Sequence, residues 1–367
     1  MRVKLDKVCK RIYAGGDVPK DRYSTVKTAE YAIPIYANAE KDNGLYGYTD
    51  TARENELSIT VAARGTIGFT AIRRVPFLPV VRLITVVPDL STVSERYLYY
   101  ALRNCKPASS GTSIPQLTVP DIKKNEIELY SLSVQETIAD KLDAVGRVIE
   151  LRQQQLQKLD ELVKARFVEL FGGIHNSNKY PYKPIQELTD IIIGGTPNRD
   201  VNEYWECGTI PWVKTTELQN NLIKEVDEYI TEKGLNSSSA KLVPPGTVLI
   251  AMYGQGKTRG MTAYLNIEAC TNQACACILP SDQINQTFLW KFLILSYDDL
   301  RGMAKGGNQP NLNGTIIKNY PILYPPIELQ EQFAAFVEQT DKSKVAIQKA
   351  LDEAQLLFDS LMQKYFG

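Results

Sequence analysis

Apolar residues recur at helical spacing along two long stretches of the chain, residues 131–172 and 325–367. In the first stretch they advance in alternating steps of four and three, which is the a/d pattern of a coiled coil. These seam positions are Ile138, Leu142, Val145, Ile149, Arg152, Leu156, Leu159, Val163, Arg166 and Leu170, with the two arginines as polar interruptions. The pattern predicts one long amphipathic helix from Ser131 to Gly172.

The second stretch, Pro325 to Gly367, repeats the first, because Gln135-Glu136 recurs as Gln330-Glu331, 195 residues further along. Its seam positions are Phe333, Val337, Thr340, Lys344, Ile347, Leu351, Ala354, Phe358, Leu361 and Tyr365. Polar interruptions at different places in two helices can set the register and orientation of a pair. We therefore expect an antiparallel coiled coil; the alternative is two separate amphipathic helices, each packed on its own domain.

The segments that precede the helices, residues 1–130 and 173–324, also correspond to each other. Both contain short β-branched runs separated by glycine and proline, which is typical of strands and turns. The corresponding motifs are Gly15-Gly-Asp-Val-Pro with Gly194-Gly-Thr-Pro-Asn-Arg, Ile59-Thr-Val-Ala-Ala-Arg-Gly with Val248-Leu-Ile-Ala-Met-Tyr-Gly, and Ser110-Gly-Thr-Ser-Ile-Pro-Gln-Leu with Lys305-Gly-Gly-Asn-Gln-Pro-Asn-Leu. A mixed α/β fold follows, with two similar domains built on central β-sheets. The two long helices are predicted to separate these domains in a pseudo-two-fold arrangement.

Composition narrows the class of protein without naming a function. The 367 residues carry a formal net charge of +0, but residues 1–130 hold 19 Lys and Arg against 14 Asp and Glu. This local excess permits a DNA-binding surface there. No apolar run approaches the roughly 20 residues of a membrane span, and the start of the chain lacks the apolar core of a secretory signal. We expect a cytoplasmic protein that makes no membrane contact.

The sequence argues against metal binding and against catalysis by histidine. Cys275 and Cys277 resemble a metal-binding loop, but the chain has no second Cys or His cluster to complete a tetrahedral site. A buried strand that contains two small thiols is the expected structure. His175, the only histidine, lies in the segment that follows the first long helix and is expected to be a surface loop residue. No metal site and no catalytic residue are predicted.

One stretch, Gly254-Gln-Gly-Lys-Thr258, resembles the end of a phosphate-binding P-loop. The first glycine of that motif would fall on Ala251, and Arg259-Gly260 interrupts the helix that should follow. We therefore expect a loop between two strands. A methyltransferase motif is also missing, since the nearest match is Tyr324-Pro-Pro-Ile327 with the wrong flanking residues. No cofactor is predicted for this chain.

Recognition of DNA remains as the chemistry that the loops can support. Arg, Lys, Asn and Gln can contact guanine and adenine edges, while Ser and Thr bind phosphate. The candidate DNA-binding residues are Asn38, Lys41, Arg64, Thr66, Thr112, Ser113 and Gln116 in the first half and Asn198, Arg199, Lys214, Tyr253, Gln255, Lys257, Arg259, Asn308, Gln309 and Asn311 in the second. Taken singly, each also fits a solvated loop residue or a local cap, so the prediction concerns the set.

The order of these motifs and their duplication resemble the DNA specificity subunit of Type I restriction-modification systems. The residues that carry the resemblance are Gly15-Gly-Asp-Val-Pro, Arg64-Gly-Thr-Ile-Gly, Gly111-Thr-Ser-Ile-Pro-Gln-Leu, Gly194-Gly-Thr-Pro-Asn-Arg, Tyr204-Trp, Ile210-Pro-Trp and the two Gln-Glu helix starts. The resemblance covers essentially the whole chain. It implies target recognition domains at residues 1–130 and 173–324 and spacer helices at residues 131–172 and 325–367.

The same resemblance implies a non-catalytic subunit that reads a bipartite, asymmetric site on double-stranded DNA. It further implies that two methyltransferase (modification) subunits bind the helices and that a restriction subunit can join them. S-adenosylmethionine and ATP then belong to the partners. Two other classes stay open from the residues alone. One is a nucleotide- or S-adenosylmethionine-dependent enzyme, and the other is a protein scaffold that does not bind DNA.

Overall fold

The computed structural model describes residues 1–105, 116–174, 178–254, 256–304 and 311–367. The chain divides into two compact units. Unit 1 contains residues 1–154 and 348–367, and unit 2 contains residues 155–347. Each of the two long helices therefore contributes part of its length to both units.

Unit 1 begins with the strands of a small mixed fold. Its elements are β1 (Arg2–Lys4), β2 (Cys9–Ala14), β3 (Ile33–Tyr36), β4 (Leu45–Thr49), β5 (Ser58–Val61), β6 (Thr70–Arg73), β7 (Leu78–Pro79), β8 (Ile84–Pro88), α1 (Glu95–Arg103), α2 (Val119–Lys124), β9 (Glu126–Glu128) and the first part of α3 (Leu132–Phe171). The central sheet has the order β2-β8-β5-β6, a second sheet has the order β4-β3-β7, and β1 pairs with β9.

The core of unit 1 forms where α1 packs on the central sheet, and α3 adds side chains to the same cluster. Strands β5 and β8 are buried along their whole length, which explains why they contain apolar or β-branched residues almost without interruption. Ser94 caps the start of helix α1, because its side chain accepts a hydrogen bond from the Tyr97 amide. Tyr97 and Leu98 are fully buried in the same cluster as Leu142 of α3. The burial of one helix face against the sheet is the main stabilising contribution here.

Unit 2 contains the remaining elements. They are β10 (Tyr182–Pro184), α4 (Ile185–Leu188), β11 (Ile191–Ile193), β12 (Ile210–Val213), β13 (Asn221–Ile223), β14 (Glu228–Ile230), α5 (Glu232–Asn236), β15 (Val248–Ala251), β16 (Thr262–Leu265), β17 (Cys270–Thr271), β18 (Cys275–Ile278), α6 (Gln286–Leu295), α7 (Tyr297–Gly302), α8 (Gly314–Lys318), β19 (Pro321–Leu323) and α9 (Ile327–Phe366). The last part of α3 and the first part of α9 complete this unit.

The sheets of unit 2 repeat those of unit 1 strand by strand. Order β11-β18-β15-β16 corresponds to β2-β8-β5-β6, order β14-β12-β17 to β4-β3-β7, and the pair β10-β19 to β1-β9. The strand directions agree as well, since β3-β7 and β12-β17 are both parallel while the central pairs are antiparallel. Unit 2 adds β13, which runs parallel to β16. The mixed α/β fold predicted from the sequence is confirmed, and the sequence repeat has a structural counterpart.

Both long helices are observed close to their predicted ends, at Leu132–Phe171 and Ile327–Phe366. All seam positions named above are buried or half-buried, while most other positions between them are exposed. In unit 1, Phe358 of α9 belongs to the cluster that contains Leu142 of α3. In unit 2, the ring centroid of Phe333 lies 5.6 Å from that of Phe167. The periodic apolar positions in the sequence are therefore the buried positions on both helices.

A buried glutamine explains why the same residue pair begins each helix. The Gln135 side chain is 0% exposed, and its Oε1 accepts a hydrogen bond of 2.8 Å from the Ser94 amide at the start of α1. Gln330 is equally buried, and its Oε1 accepts a hydrogen bond of 2.9 Å from the Asn285 amide at the start of α6. A side-chain amide thus joins each long helix to the shorter helix beside it, and a buried polar group needs such partners.

The two cysteines that resembled a metal loop lie in β18 and are buried, as expected for a strand. Burial raises the pKa of both thiols above the usual value, so they stay protonated. Across the described residues no group of three or more His, Cys, Asp and Glu side chains could hold a metal ion. The prediction for His175 falls outside the described residues. In the part of the chain that the structure describes, no helix has the length and apolar character needed to cross a bilayer.

Candidate nucleic-acid interface

The motifs that recur in the sequence meet at one edge of each central sheet. In unit 1 this is the edge where β2 and β5 end and where β6 and β8 begin. The register sets Ala14 opposite Ile84, and Val61 opposite both Ile84 and Thr70. We call it the loop edge of unit 1. The segments that leave these four strand ends contain Arg64 and Thr66, two of the seven candidate residues of the first half.

Gly15 occupies the loop edge because no side chain fits there. Its amide donates a hydrogen bond of 2.8 Å to the Leu83 carbonyl, and a Cβ atom at this position would lie 2.6 Å from the Pro79 carbonyl carbon. Gly194 has the same role in unit 2, since its amide binds the Cys275 carbonyl at 3.1 Å and its Cβ would lie 2.1 Å from Thr271 Oγ1. The recurring glycines are thus required by close packing of backbone segments.

Asn38 joins two segments of this edge. Its Oδ1 accepts a hydrogen bond of 2.8 Å from the Ala63 amide, and its Nδ2 donates to the Val81 carbonyl. Both ends of the amide are therefore used inside the protein. In this structure Asn38 holds the loop edge together, and its predicted contact with DNA stays a prediction.

Arg64 and Gln116 are brought together although 52 residues separate them. The Nε and Nη2 atoms of Arg64 donate hydrogen bonds of 2.9 and 2.7 Å to Gln116 Oε1. The neighbouring backbone is paired too, because the Leu117 amide donates to the Ala63 carbonyl at 3.0 Å. Arg64 is exposed, so the pair presents guanidinium and amide N–H groups to solvent from one place.

The other candidates of unit 1 are exposed residues of turns or lie outside the described residues. Thr66 is exposed in the turn between β5 and β6. Lys41 is exposed in a 3₁₀ turn, Lys41–Gly44, and Arg73 Nη2 holds that turn by a hydrogen bond of 2.8 Å to the Asn43 carbonyl. Thr112 and Ser113 lie outside the described residues.

Unit 2 has an equivalent loop edge, where β11 and β15 end and where β16 and β18 begin. Ala251 lies opposite Cys275, and Ile250 lies opposite Thr262. The Leu312 amide donates a hydrogen bond of 3.0 Å to the Met252 carbonyl, which repeats the Leu117–Ala63 bond of unit 1. Tyr253 therefore corresponds to Arg64, and Asn311 to Gln116. The same backbone frame presents different side chains in the two units.

Helix α7 fixes the loop that carries Lys257 and Arg259. Arg301 donates hydrogen bonds of 2.7 Å to the Arg259 carbonyl and of 2.8 Å to the Gly256 carbonyl. The Tyr297 hydroxyl donates to the Lys257 carbonyl at 2.6 Å. Strand β16 follows this loop, so the prediction of a strand-to-strand loop is confirmed. Arg301 and Tyr297 were not singled out from the sequence, because nothing local indicates which loop they contact.

The candidates Arg199 and Lys214 share one carboxylate. Arg199 Nη1 lies 2.6 Å from Glu228 Oε2, and Lys214 Nζ lies 3.0 Å from Glu228 Oε1. The Arg199 guanidinium also covers the Trp205 ring at 3.7 Å from the centroid, a cation–π contact. Burial acts to raise the pKa of Glu228, but hydrogen bonds from Lys214 and Arg199 outweigh it and keep that pKa below its usual value.

These ion pairs lower the free positive charge that unit 2 can offer to DNA. The hydrogen bond to Glu228 raises the pKa of Lys214, so Lys214 is charged but partly neutralised at pH 7. Asn198 is exposed beside Arg199, and its Oδ1 accepts a hydrogen bond of 3.0 Å from the Asp200 amide. Gln255, Asn308 and Gln309 lie outside the described residues.

Comparison with known proteins assigns the sequence to a family. The sequence profile described as "Type I restriction modification DNA specificity domain" matches residues 1–161 and 178–355. A putative type I specificity subunit of Mycoplasma pneumoniae is 35% identical over 169 residues, which span 43% of this chain and 46% of that relative. The chain thus matches less than half of the length of that relative.

Two further comparisons extend over most of the chain. The Type I restriction enzyme MjaIX specificity subunit of Methanocaldococcus jannaschii is 23% identical over 385 residues, covering 96% of this chain and 86% of that protein. The crystal structure of a Type-I restriction-modification system S subunit from M. genitalium has a TM-score of 0.61 at 17% identity, covering 100% of this chain and 96% of that one. The fold is therefore shared, and the match of the profile to nearly the whole sequence shows that the chain belongs to the family of Type I restriction modification DNA specificity domains.

Proposed function

We propose that this chain is the non-catalytic DNA sequence-recognition subunit of a Type I restriction-modification enzyme, in which each unit reads one half of a bipartite, asymmetric site. The repeated loop edge is the observation that carries the proposal. Two units with one strand order present Arg64 and Gln116 in one case and Tyr253 and Asn311 in the other. Different side chains on equivalent frames are what two unlike half-sites require, because base edges are read by side-chain chemistry.

We further propose that α3 and α9 form an antiparallel coiled coil that acts as a spacer between the target recognition domains, residues 1–130 and 173–324, in a pseudo-two-fold arrangement. Contacts inside unit 2 support this direction, because Lys344 pairs with Asp160 while Phe333, earlier in α9, contacts Phe167, later in α3. Residue numbers that fall on one helix as they rise on the other are characteristic of antiparallel partners. The stretches 131–172 and 325–367 are the proposed spacer.

The proposed partners are double-stranded DNA, two methyltransferase subunits and a restriction subunit that can join them. The family to which the chain belongs supports this assembly, since the Methanocaldococcus relative is named as the specificity subunit of a restriction enzyme. In the proposed assembly, S-adenosylmethionine and ATP bind to the partners. The chain itself recognises the DNA sequence.

The proposal is tested by expressing the chain together with its own modification subunit and sequencing the methylated adenines in the DNA of those cells. We expect one motif composed of two short defined halves and an undefined spacer of fixed length. Cells that express the modification subunit alone serve as the control and should show no such motif. Methylation without sequence preference would contradict the proposal and favour a scaffold that does not read DNA. Binding of labelled ATP or S-adenosylmethionine by the isolated chain would favour the enzyme class.

A further inference from the structure

The turn between β7 and β8 in unit 1 adopts a backbone conformation that its residues disfavour. Val81 has a φ of 52° and Arg82 a φ of 61°. Two consecutive left-handed residues normally call for Asn, Asp or Gly, and a β-branched residue such as valine is rarely found there. The turn is held by hydrogen bonds of 2.8 Å from the Val81 amide to the Gly16 carbonyl and of 3.0 Å from the Leu83 amide to the Val80 carbonyl. Strain of this kind persists where the surrounding structure imposes it.

This turn belongs to the loop edge of unit 1. The Val81 carbonyl accepts a hydrogen bond from Asn38, and Asn38 binds the Ala63 amide next to Arg64. Arg82 is exposed and Val81 is 47% exposed. Glycine would relieve the strain at either position, yet the turn keeps two side chains, and Asn38 ties its backbone to that of Ala63, the residue before Arg64. Arg82 carries an exposed guanidinium group and was not among the candidate residues chosen from the sequence.

The equivalent connection in unit 2, between β17 and β18, contains a turn of the same length, and its backbone hydrogen bonds place Gln273 at the position of Val81 and Ala274 at the position of Arg82. The segment is tied to the loop edge by hydrogen bonds of 3.0 Å from the Asn272 amide to the Val213 carbonyl and of 2.8 Å from the Met252 amide to the Ala274 carbonyl. Gln273 is exposed, and its Oε1 accepts a hydrogen bond from the Thr196 hydroxyl. A carbonyl oxygen has two lone pairs, so this bond orients the amide and leaves capacity for a second donor.

We propose that Arg82 and Gln273 are base-reading residues, one for each half-site, and that Arg82 selects guanine while Gln273 selects adenine. Arginine can bind guanine O6 and N7 together, and glutamine can bind adenine N6 and N7 together. The inference rests on the proposed function, since it assigns residues to the reading of the two halves. It adds the β7–β8 and β17–β18 connections to the β5–β6 and β15–β16 loops and to Gln116 and Asn311.

The test uses the full chain with its modification subunit and maps methylated adenines for Arg82→Gly and Gln273→Ala. We expect Arg82→Gly to relax one guanine position of one half-site by about tenfold or more in preference, with the other half unchanged. Gln273→Ala should relax one adenine position of the opposite half. Because glycine suits a φ of 61°, Arg82→Gly should also unfold at a temperature no lower than the wild type, which separates lost reading from lost folding.

Matched controls remove the same kind of side chain from the opposite end of the two central sheets. Lys10→Ala removes an exposed cation near the start of β2, and Gln283→Ala removes an exposed amide after the end of β18. Both should leave the motif intact. A uniform loss of binding across all sequences would mean phosphate contacts and would overturn the assignment, as would unchanged motifs in both variants. If the wild-type complex gives no bipartite motif, the proposed function itself fails.

Discussion

Among single residues, the buried carboxylate of Glu54 joins strand β2 to the segment before β5. Its side chain is 2% exposed, and it accepts hydrogen bonds of 3.0 Å from Arg11 Nη2, from the Tyr13 hydroxyl and from the Glu56 amide. Burial acts to raise the pKa of Glu54, but these hydrogen bonds outweigh it and lower that pKa. Burial and the Glu54 charge together raise the pKa of Tyr13 to about 12. The ionised carboxylate is therefore part of the folded structure.

Replacing this carboxylate should destabilise the fold in a pH-dependent way. We expect Glu54→Gln to lower the free energy of unfolding by about 2–4 kcal/mol at pH 7, because several donors lose a charged acceptor. A lowered folded-state pKa stabilises the fold above the unfolded-state value, near 4.5, and this contribution is lost as pH falls through the folded-state value. Urea unfolding at pH 7 and near pH 4 measures the difference, which should shrink at the lower pH.

Glu56→Gln is the matched control for this measurement. The Glu56 side chain is 41% exposed and pairs with Lys10 and Arg11 at the surface. Exposed ion pairs contribute little, about 0–1 kcal/mol. Equal losses for the two variants, or a Glu54→Gln difference that does not change with pH, would contradict the role assigned to the buried carboxylate.

Residue chemistry could be predicted from the sequence more readily than residue contacts. Arg64 and Gln116 were both chosen as candidates for their side chains, but their mutual hydrogen bonds depend on a fold that brings distant loops together. Asn38 was chosen for its side chain too, and its hydrogen bonds to Val81 and Ala63 again depend on segments far away in the sequence. Arg82 was missed because turn rules look for Asn-Gly at positive φ, and Val81-Arg82 contains neither.

At the level of elements, the long helices were predicted within two residues of their observed ends because the seam repeats over about ten turns. Short elements are harder to predict from the sequence. The loop after β15 resembles a P-loop in its letters, and only the strand that follows it settles its role. Its shape depends on α7, since Arg301 and Tyr297 bind three of its carbonyl oxygens. A stretch of sequence does not reveal which distant helix will hold it.

Removing this support should loosen the loop without touching its own side chains. We expect Arg301→Ala to speed tryptic cleavage after Lys257 and Arg259 several-fold, because two hydrogen bonds to the loop backbone are lost. Limited proteolysis followed by mass spectrometry measures the cleavage. The same variant, in complex with the modification subunit, should discriminate less well at one half-site only.

Asp298→Ala provides the comparison on the same helix, because Asp298 is exposed on α7 and does not hold the loop in the contacts described above. It should leave both cleavage and methylation unchanged. If trypsin cleaves the loop of Arg301→Ala at the wild-type rate, and the variant still discriminates at both half-sites, the loop does not depend on α7.

For the whole molecule, the duplication was the feature that the sequence predicted most fully. Strand order, strand direction and the buried glutamines Gln135 and Gln330 all recur in the two units. The loop edges could not be predicted, because glycine motifs far apart in sequence meet there only through sheet register. Gly15 and Gly194 were recognised as a repeat, whereas the close packing that requires them is visible only in three dimensions.

The spacer proposal makes a geometrical prediction for the complete complex. Seven residues that continue the heptad, inserted after Gln154 in α3 and after Ile347 in α9 at the division between the units, keep the seam in phase. They add about 10 Å of helix, which corresponds to about three base pairs at roughly 3.4 Å each. Methylation mapping should then show a spacer longer by about three base pairs and two unchanged halves.

The control replaces the exposed residues Gln153, Gln154 and Gln155 with alanine and should leave the spacer as it is, because helix length is unchanged. An insertion that alters a half-site while the spacing stays constant would mean that the helices do not measure the distance between half-sites. A longer spacer with both halves intact would instead follow from a rigid helix pair, because only such a pair converts added residues into distance along DNA.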